Sequence, residues 1–307
     1  MTINMPHKGT TENRLLSPAI WGRIPVEAYS VGREDGMFLF DDFFNFGTRN
    51  CTPGATDGTW GANDQGAVDR SVETINGGGA HNYGFYGTPG TTNAAGVVLA
   101  QTPLEGGVIS VTGNDADNDE AILQAGGNID GGAFAIDEDG IYVLAFETRF
   151  RVESITANQM GLFLGLAEGG LCSANGVLDT NTSAMVDKDY IGFHCDQAAP
   201  SALDFVYNKA GTTARIPIAG IQTLVAGTWY KVGFLVSPFH NPSERIKVFV
   251  DSVENNTKIP QTVVSTYGVS DASFPDDEKM TPTFSAKVGS ANAEYAQIDW
   301  WAAAAAV

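Results

Sequence analysis

The chain has 307 residues, 43% of them hydrophobic, and a formal charge of −19. That length and apolar content support the packed core of one large β domain rather than a disordered chain. The charge opposes phosphate backbones and anionic membranes, which excludes nucleic acid and membrane as expected partners.

Residues 1–35 form the first unit. They carry Pro6, Pro18 and Pro25 and no sustained period. Lys8, Arg14 and Arg23 stand against Glu12, so a slightly basic segment precedes a very acidic body. Leu15, Leu16, Ile20 and Trp21 are too apolar for a purely solvated terminus. The expectation is an extended arm that reaches onto a neighbouring copy, with Arg14, Trp21 and Arg23 as its contact residues. The opening residues lack an apolar signal core, so the chain is expected to stay unexported.

From Met37 the chain reads as strands. "MFLFDDFFNF" (37–46) is a dense aromatic run. The stretch 50–110 is rich in Gly, Thr and Asn and reads as a loop-rich insertion. Within it, "GGGAHNYGFYGTPG" (77–90) offers Tyr83 and Phe85 in an expected loop, for protein contact or for stacking a glycan. Protein contact is favoured, because no convergent set of polar groups accompanies the rings. "NDADNDE" (114–120) places Asp115, Asp117 and Asp119 at alternate positions, oxygen ligands that would suit Ca²⁺. It is not an EF-hand loop: the sixth position is Glu120 rather than Gly, and the twelfth is Gly126 rather than Glu. A solvated acidic loop is the simpler reading.

"AFETRFRV" (145–152) alternates: Phe146, Thr148, Phe150 and Val152 on one face, Glu147, Arg149 and Arg151 on the other. "MGLFLGLAE" (160–168) follows, and "DYIGFHCD" (189–196) with "LDFVYNKAG" (203–211) reads as a hairpin. "TWYKVGFLVS" (228–237) puts Tyr230, Val232, Phe234 and Val236 on one face, and "RIKVFVDS" (245–252) does the same with Ile246, Val248 and Val250. "TFSAKVGS" (283–290) and "EYAQIDWW" (294–301) complete the set. In the last run Ile298 and Trp300 are expected to face the core, with Gln297, Asp299 and Trp301 opposite. The alanines that follow either run close against a neighbour or fray. No stretch has a capped helical period, and the 36 glycines fit short strands joined by tight turns. The fold class is all-β, an antiparallel β-sandwich over 36–307.

Several pieces together resemble concanavalin A-like lectin/glucanase jelly rolls. "LFDDFFNFGT" followed by Trp60 is similar to their opening strand, "FETRFRVESI" and "GLFLGLAEGG" to two central strands, and "AGTWYKVGFLV" with "IKVFVDS" to paired late strands. "EYAQIDWW" resembles the closing strand, which in that fold lies beside the opening one. The style also resembles virion structural proteins of tailed bacteriophages, in which such jelly rolls decorate the capsid or sit in tail fibres. That resemblance implies a non-enzymatic capsid decoration protein. Its expected partners are the major capsid protein and copies of itself, as a homotrimer, in a virion assembled in the host cytoplasm. A carbohydrate-binding tail-fibre or surface module is the alternative, and a glycoside hydrolase with a degenerate motif the second.

Catalytic motifs argue against an enzyme. The resemblance to glucanases implies a Glu, an Asp two residues on and a second Glu close behind, which is absent. Retaining glycosidases hold their carboxyls about 5–5.5 Å apart. Glu147 and Glu153 lie roughly 20 Å apart along a strand, at about 3.3 Å per residue. Asp137 and Asp139 in "IDEDG" read as an acidic turn. There is no G-x-S-x-G, P-loop or dinucleotide fingerprint. His194 and Cys195 are neighbours in one strand, so their side chains diverge. Cys51, Cys172 and Cys195 fit neither a disulfide framework nor a zinc site, and no catalytic residue or cofactor is expected.

Overall fold

The alternating runs pair into two antiparallel sheets. The structure, a computed structural model, describes residues 16–22, 24, 36–41, 43, 83–87, 96–99, 108–112, 117, 120–125, 134–136, 143–171, 176–178, 184–237, 240–241, 244–259, 271–289 and 295–306. Strands are numbered in chain order. Sheet A runs β13 (Val253–Glu254), β12 (Ile246–Val250), β11 (Tyr230–Val236), β6 (Val143–Val152), β15 (Tyr295–Ala306), β4 (Ile109–Thr112) and β3 (Gly96–Leu99). An eighth strand, β1 (Gly36–Asp41), also pairs with β15. Sheet B runs β10 (Arg215–Thr223), β9 (Ala202–Asn208), β8 (Tyr190–Cys195), β7 (Met160–Glu168), β14 (Met280–Val288), β5 (Glu120–Ala125) and β2 (Tyr83–Gly87). One short helix, α1 (Pro18–Trp21), precedes them. The two sheets form an antiparallel jelly-roll β-sandwich.

Alternation decides which side chains meet between the sheets. Phe146, Phe150 and Val152 of β6 and Tyr230, Val232, Phe234 and Val236 of β11 enter the core, as their spacing predicts. Sheet B answers with Leu162, Leu164 and Leu166 of β7, Phe193 of β8 and Phe205 of β9. The rings of Phe193 and Phe205 lie 6.5 and 5.9 Å from Phe234 and so join the two layers. Burying each such ring contributes about 2 kcal/mol. Cys195 enters this core while His194 faces outward, confirming that the two diverge. The β12–β13 link is a two-residue hairpin turn. Val250 pairs with Val253, and Asp251 and Ser252 between them have φ of 48° and 69°.

The strand β15 departs from simple alternation. Ile298 pairs with Phe150, but Trp300 rather than Asp299 pairs with Arg149, so one extra residue is inserted between them. This bulge reverses the phase. Ile298 and Trp301 therefore face the core, followed by Ala303 and Ala305. Trp300, Ala302 and Ala304 join a second apolar cluster on the outer face. The expected assignment of Trp300 inward and Trp301 outward is corrected by that inserted residue. Ala302–Ala306 do not fray: they pair with β6 on one side and β1 on the other.

Two further expectations change, and one strand escapes the sequence pattern. Tyr83 and Phe85 lie in a strand, β2, paired with Ala125 and Leu123 of β5, rather than in a loop. Glu120 is the first residue of β5 and is buried, not part of a solvated loop. Strand β10 has no alternating signal because it is the outermost strand of its sheet and is exposed along much of its length; Pro217 and two register shifts interrupt it.

Candidate functional site

Residues 16–22 and 24 lie on the outer face of sheet A. Pro18 opens the single turn of α1, where its missing N–H costs nothing. Ile20, Trp21 and Ile24 pack with Ala145, Leu235, Phe249, Trp300, Ala302 and Ala304. The Trp21 ring meets Phe38 edge-on at 5.6 Å. Gly233 makes room: a Cβ there would stand 2.7 Å from Ile20 Cδ1.

One carboxylate fastens the segment. The Ser17 N–H donates to Glu147 Oε2 at 2.9 Å and the Trp21 indole N–H donates to the same oxygen at 2.7 Å. The Ser17 hydroxyl contacts both Glu147 Oε1 and Ser252 Oγ, the latter at 2.8 Å, instead of capping α1. Glu147 is 1% exposed. Burial pushes its carboxyl above the usual carboxylate range, against the pull of Lys231 and of the hydrogen bonds from Ser17 and Trp21. Burial likewise lowers the Lys231 ammonium, opposed by Glu147 and Asp251.

A polar ladder continues along the same face. Arg149 Nη1 donates to Asp299 Oδ2 at 2.6 Å, both groups buried. Arg151 Nε donates to Gln297 Oε1, and Gln297 Nε2 donates to Ser110 Oγ at 2.8 Å. The half-buried Trp229 ring lies 4.3 Å from the Arg149 guanidinium and 4.8 Å from that of Arg151. Removing Asp299 would take an ion-pair partner from a buried guanidinium, so this ladder acts as fixed architecture.

The outer face of sheet B carries a second buried cluster. Glu120 Oε1 accepts from Ser285 Oγ at 2.6 Å and from the Leu178 N–H at 3.3 Å. Lys287 Nζ donates to the Leu178 carbonyl at 3.2 Å. Burial raises the Glu120 carboxyl, opposed by Ser285, Lys287 and backbone donors. A Cβ on Gly176 would collide with this carboxylate, so glycine lets the covering chain approach. Phe163, Tyr190 and Val206 are covered in the same way by Leu171, Val177 and Leu178. These charged groups tie covering segments to the sheets.

Of the residues singled out from sequence, Trp21 is placed on its own sandwich, 6% exposed. Arg14, Arg23, Asp115 and Asp119 lie outside the described residues, and Asp117 is exposed in a turn. Tyr83 and Phe85 are placed in β2 by backbone alone. Asp137 and Asp139 lie outside the described residues. Among the described residues, no group of three His, Cys, Asp or Glu is placed to hold a metal ion. Sequence reasoning placed Glu147 on the face opposite Phe146 and weighed it only as a catalytic carboxylate, so it missed its role in holding this segment. The signal that pointed to it was the apolar "SPAIW" segment, which needed a seat.

No family model and no curated protein matches the chain. Among solved structures it is similar to a protein of unknown function from Shewanella oneidensis MR-1, at 13% identity and a TM-score of 0.44, over 89% of this chain and 87% of that one. It is similar to the carbohydrate recognition domain of Emp47p at 13% identity and a TM-score of 0.43, over 73% and 89%. It is also similar to a prokaryotic β-1,3-1,4-glucanase (lichenase) from a mouse hindgut metagenome, at 13% and 0.41, over 72% and 92%.

Proposed function

We propose that this chain is a non-enzymatic structural protein of a virion, a decoration protein that braces the head of a tailed bacteriophage. The observation that carries this reading is the fastening of residues 16–24 to sheet A by Glu147 and an apolar seat. It gives the sandwich a fixed point beside the slightly basic sequence that carries Lys8 and Arg14. The buried carboxylates Glu147 and Glu120 are engaged in holding covering segments, which is structural work. Contacts across subunit seams then add buried area that opposes expansion of the shell, and a closed trimer suits such seams.

The test is the copy number of this chain in purified particles from its source, relative to the major shell protein. About one copy per shell subunit, or one per few, supports decoration. Absence from particles overturns it. A handful of copies per particle directs attention to the tail and to a second reading, a glycan-binding module. Trp229 favours that second reading: it is a half-buried aromatic backed by two guanidinium groups on the sheet surface. Glycan-array binding lost in Trp229→Ala supports it, and no binding by the wild type removes it.

A further inference from the structure

Ser17 has one hydroxyl hydrogen and two neighbours for it, Glu147 Oε1 and Ser252 Oγ. Two arrangements satisfy the chain of three oxygens. In one, Ser252 donates to Ser17, Ser17 donates to Glu147, and the carboxylate is ionised. In the other, a protonated Glu147 donates from Oε1 to Ser17, and Ser17 donates to Ser252. In the second arrangement Oε2 still accepts the Ser17 N–H and the Trp21 N–H, so nothing is lost. The carboxyl is buried beneath the strap, and releasing the strap returns it to water.

We propose that the 16–24 segment is a proton-coupled strap: docking onto sheet A takes up one proton at Glu147, and release gives it back. Among the described residues, Lys231 on β11 acts on the carboxyl, and Lys231 is in turn influenced by Asp251 in the β12–β13 turn and Arg149, two positions along β6. From β15, Ala302 stands opposite and brings no charge. Among the described residues of the strap, Ser17 and Trp21 donate to it and neither carries a charge. Burial outweighs Lys231, so the docked carboxyl holds its proton more tightly than the released one. The sign follows. A carboxyl whose pKa is raised by docking makes docking strongest at low pH, where it is protonated in both states, and weaker as pH rises through the docked value. The coupling needs only this chain and holds whatever particle the chain serves.

Hydrogen exchange of the full chain tests it. The Ile20 and Trp21 amides both donate to the Ser17 carbonyl and report the docked turn. Their opening constants, corrected for intrinsic rates, are read from about pH 5 to pH 8, with β7 amides as the global background. One proton gives at most a tenfold change per pH unit. The expected result is a rise across the range in the wild type and a flat profile in Glu147→Gln. Ser252→Ala frees the Ser17 hydrogen for the ionised carboxylate, so its profile is expected to be shallower than wild type. A flat wild-type profile, or one equally steep in Glu147→Gln, overturns the proposal. Should Glu147→Gln not fold, a Ser252→Ala profile as steep as wild type overturns it instead.

Discussion

Trp300 and Trp301 are adjacent in sequence and sit on opposite faces of sheet A, in two different apolar clusters. Trp301 is enclosed between the sheets and meets Phe43 at a ring distance of 5.3 Å. Trp300 lies on the outer face, 6.1 Å from Phe40. Trp301→Ala opens a hole in the main core and is expected to cost about 4 kcal/mol, as large aromatic deletions do. Trp300→Ala is expected to cost less, because the outer cluster can settle around it. Urea unfolding of the two variants checks the order, and equal losses would contradict the bulge that separates them. The sequence alone supports the reverse order. Period-two counting is reliable until a residue is inserted, and no residue type at 298–300 announces the insertion. The seat at Glu147 was hidden for a related reason. Alternation tells which way a side chain points, not whether another segment will cover it, so a buried carboxylate reads as a solvated one.

At the scale of elements, β6, β7, β8, β9, β11 and β12 were legible because each pairs on a half-apolar pattern of sufficient length. Strands β5 and β14 carry weaker patterns: polar Gln124, Thr283 and Ser285 are buried and hydrogen-bonded within sheet B, Gln124 donating to the Glu168 carbonyl and Thr283 Oγ1, and Ser285 to Glu120. Strand β15 has a role that its alanines conceal. Its Ala302–Ala306 section stands between β1 and β6, with small side chains that let Phe38, Phe40 and the strap close over it. Deleting residues 302–307 is therefore expected to abolish cooperative folding, because β1 loses its only partner among the described strands and β6 gains an open edge. Far-UV circular dichroism and a urea titration check this. A frayed tail would change stability by no more than about 0.5 kcal/mol.

At the scale of the molecule, 36 acidic residues face 17 basic ones. Several of the basic groups are committed to internal pairs, as Arg149 is to Asp299 and Lys209 to Asp276 and Asp277. The remaining acidity repels itself across the surface, and salt screens it over about 10 Å at 0.1 M. Raising sodium chloride from about 0.02 to 0.5 M is expected to raise Tm by roughly 3 °C, the shift about 1 kcal/mol gives in a domain this large. A fall in Tm would mean that the pairs on the surface outweigh the net repulsion.

The placing of β15 also sets an order in time. The ribosome delivers β1 early and β15 after every other described strand, yet β15 fills the gap among β1, β4 and β6. At about 5–20 residues per second, the nascent chain carries those unfilled edges for many seconds before sheet A can close. A prematurely terminated product keeps them open permanently. Such fragments are expected to be bound by holdase chaperones or cleared by proteases, so only chains that contain β15 accumulate.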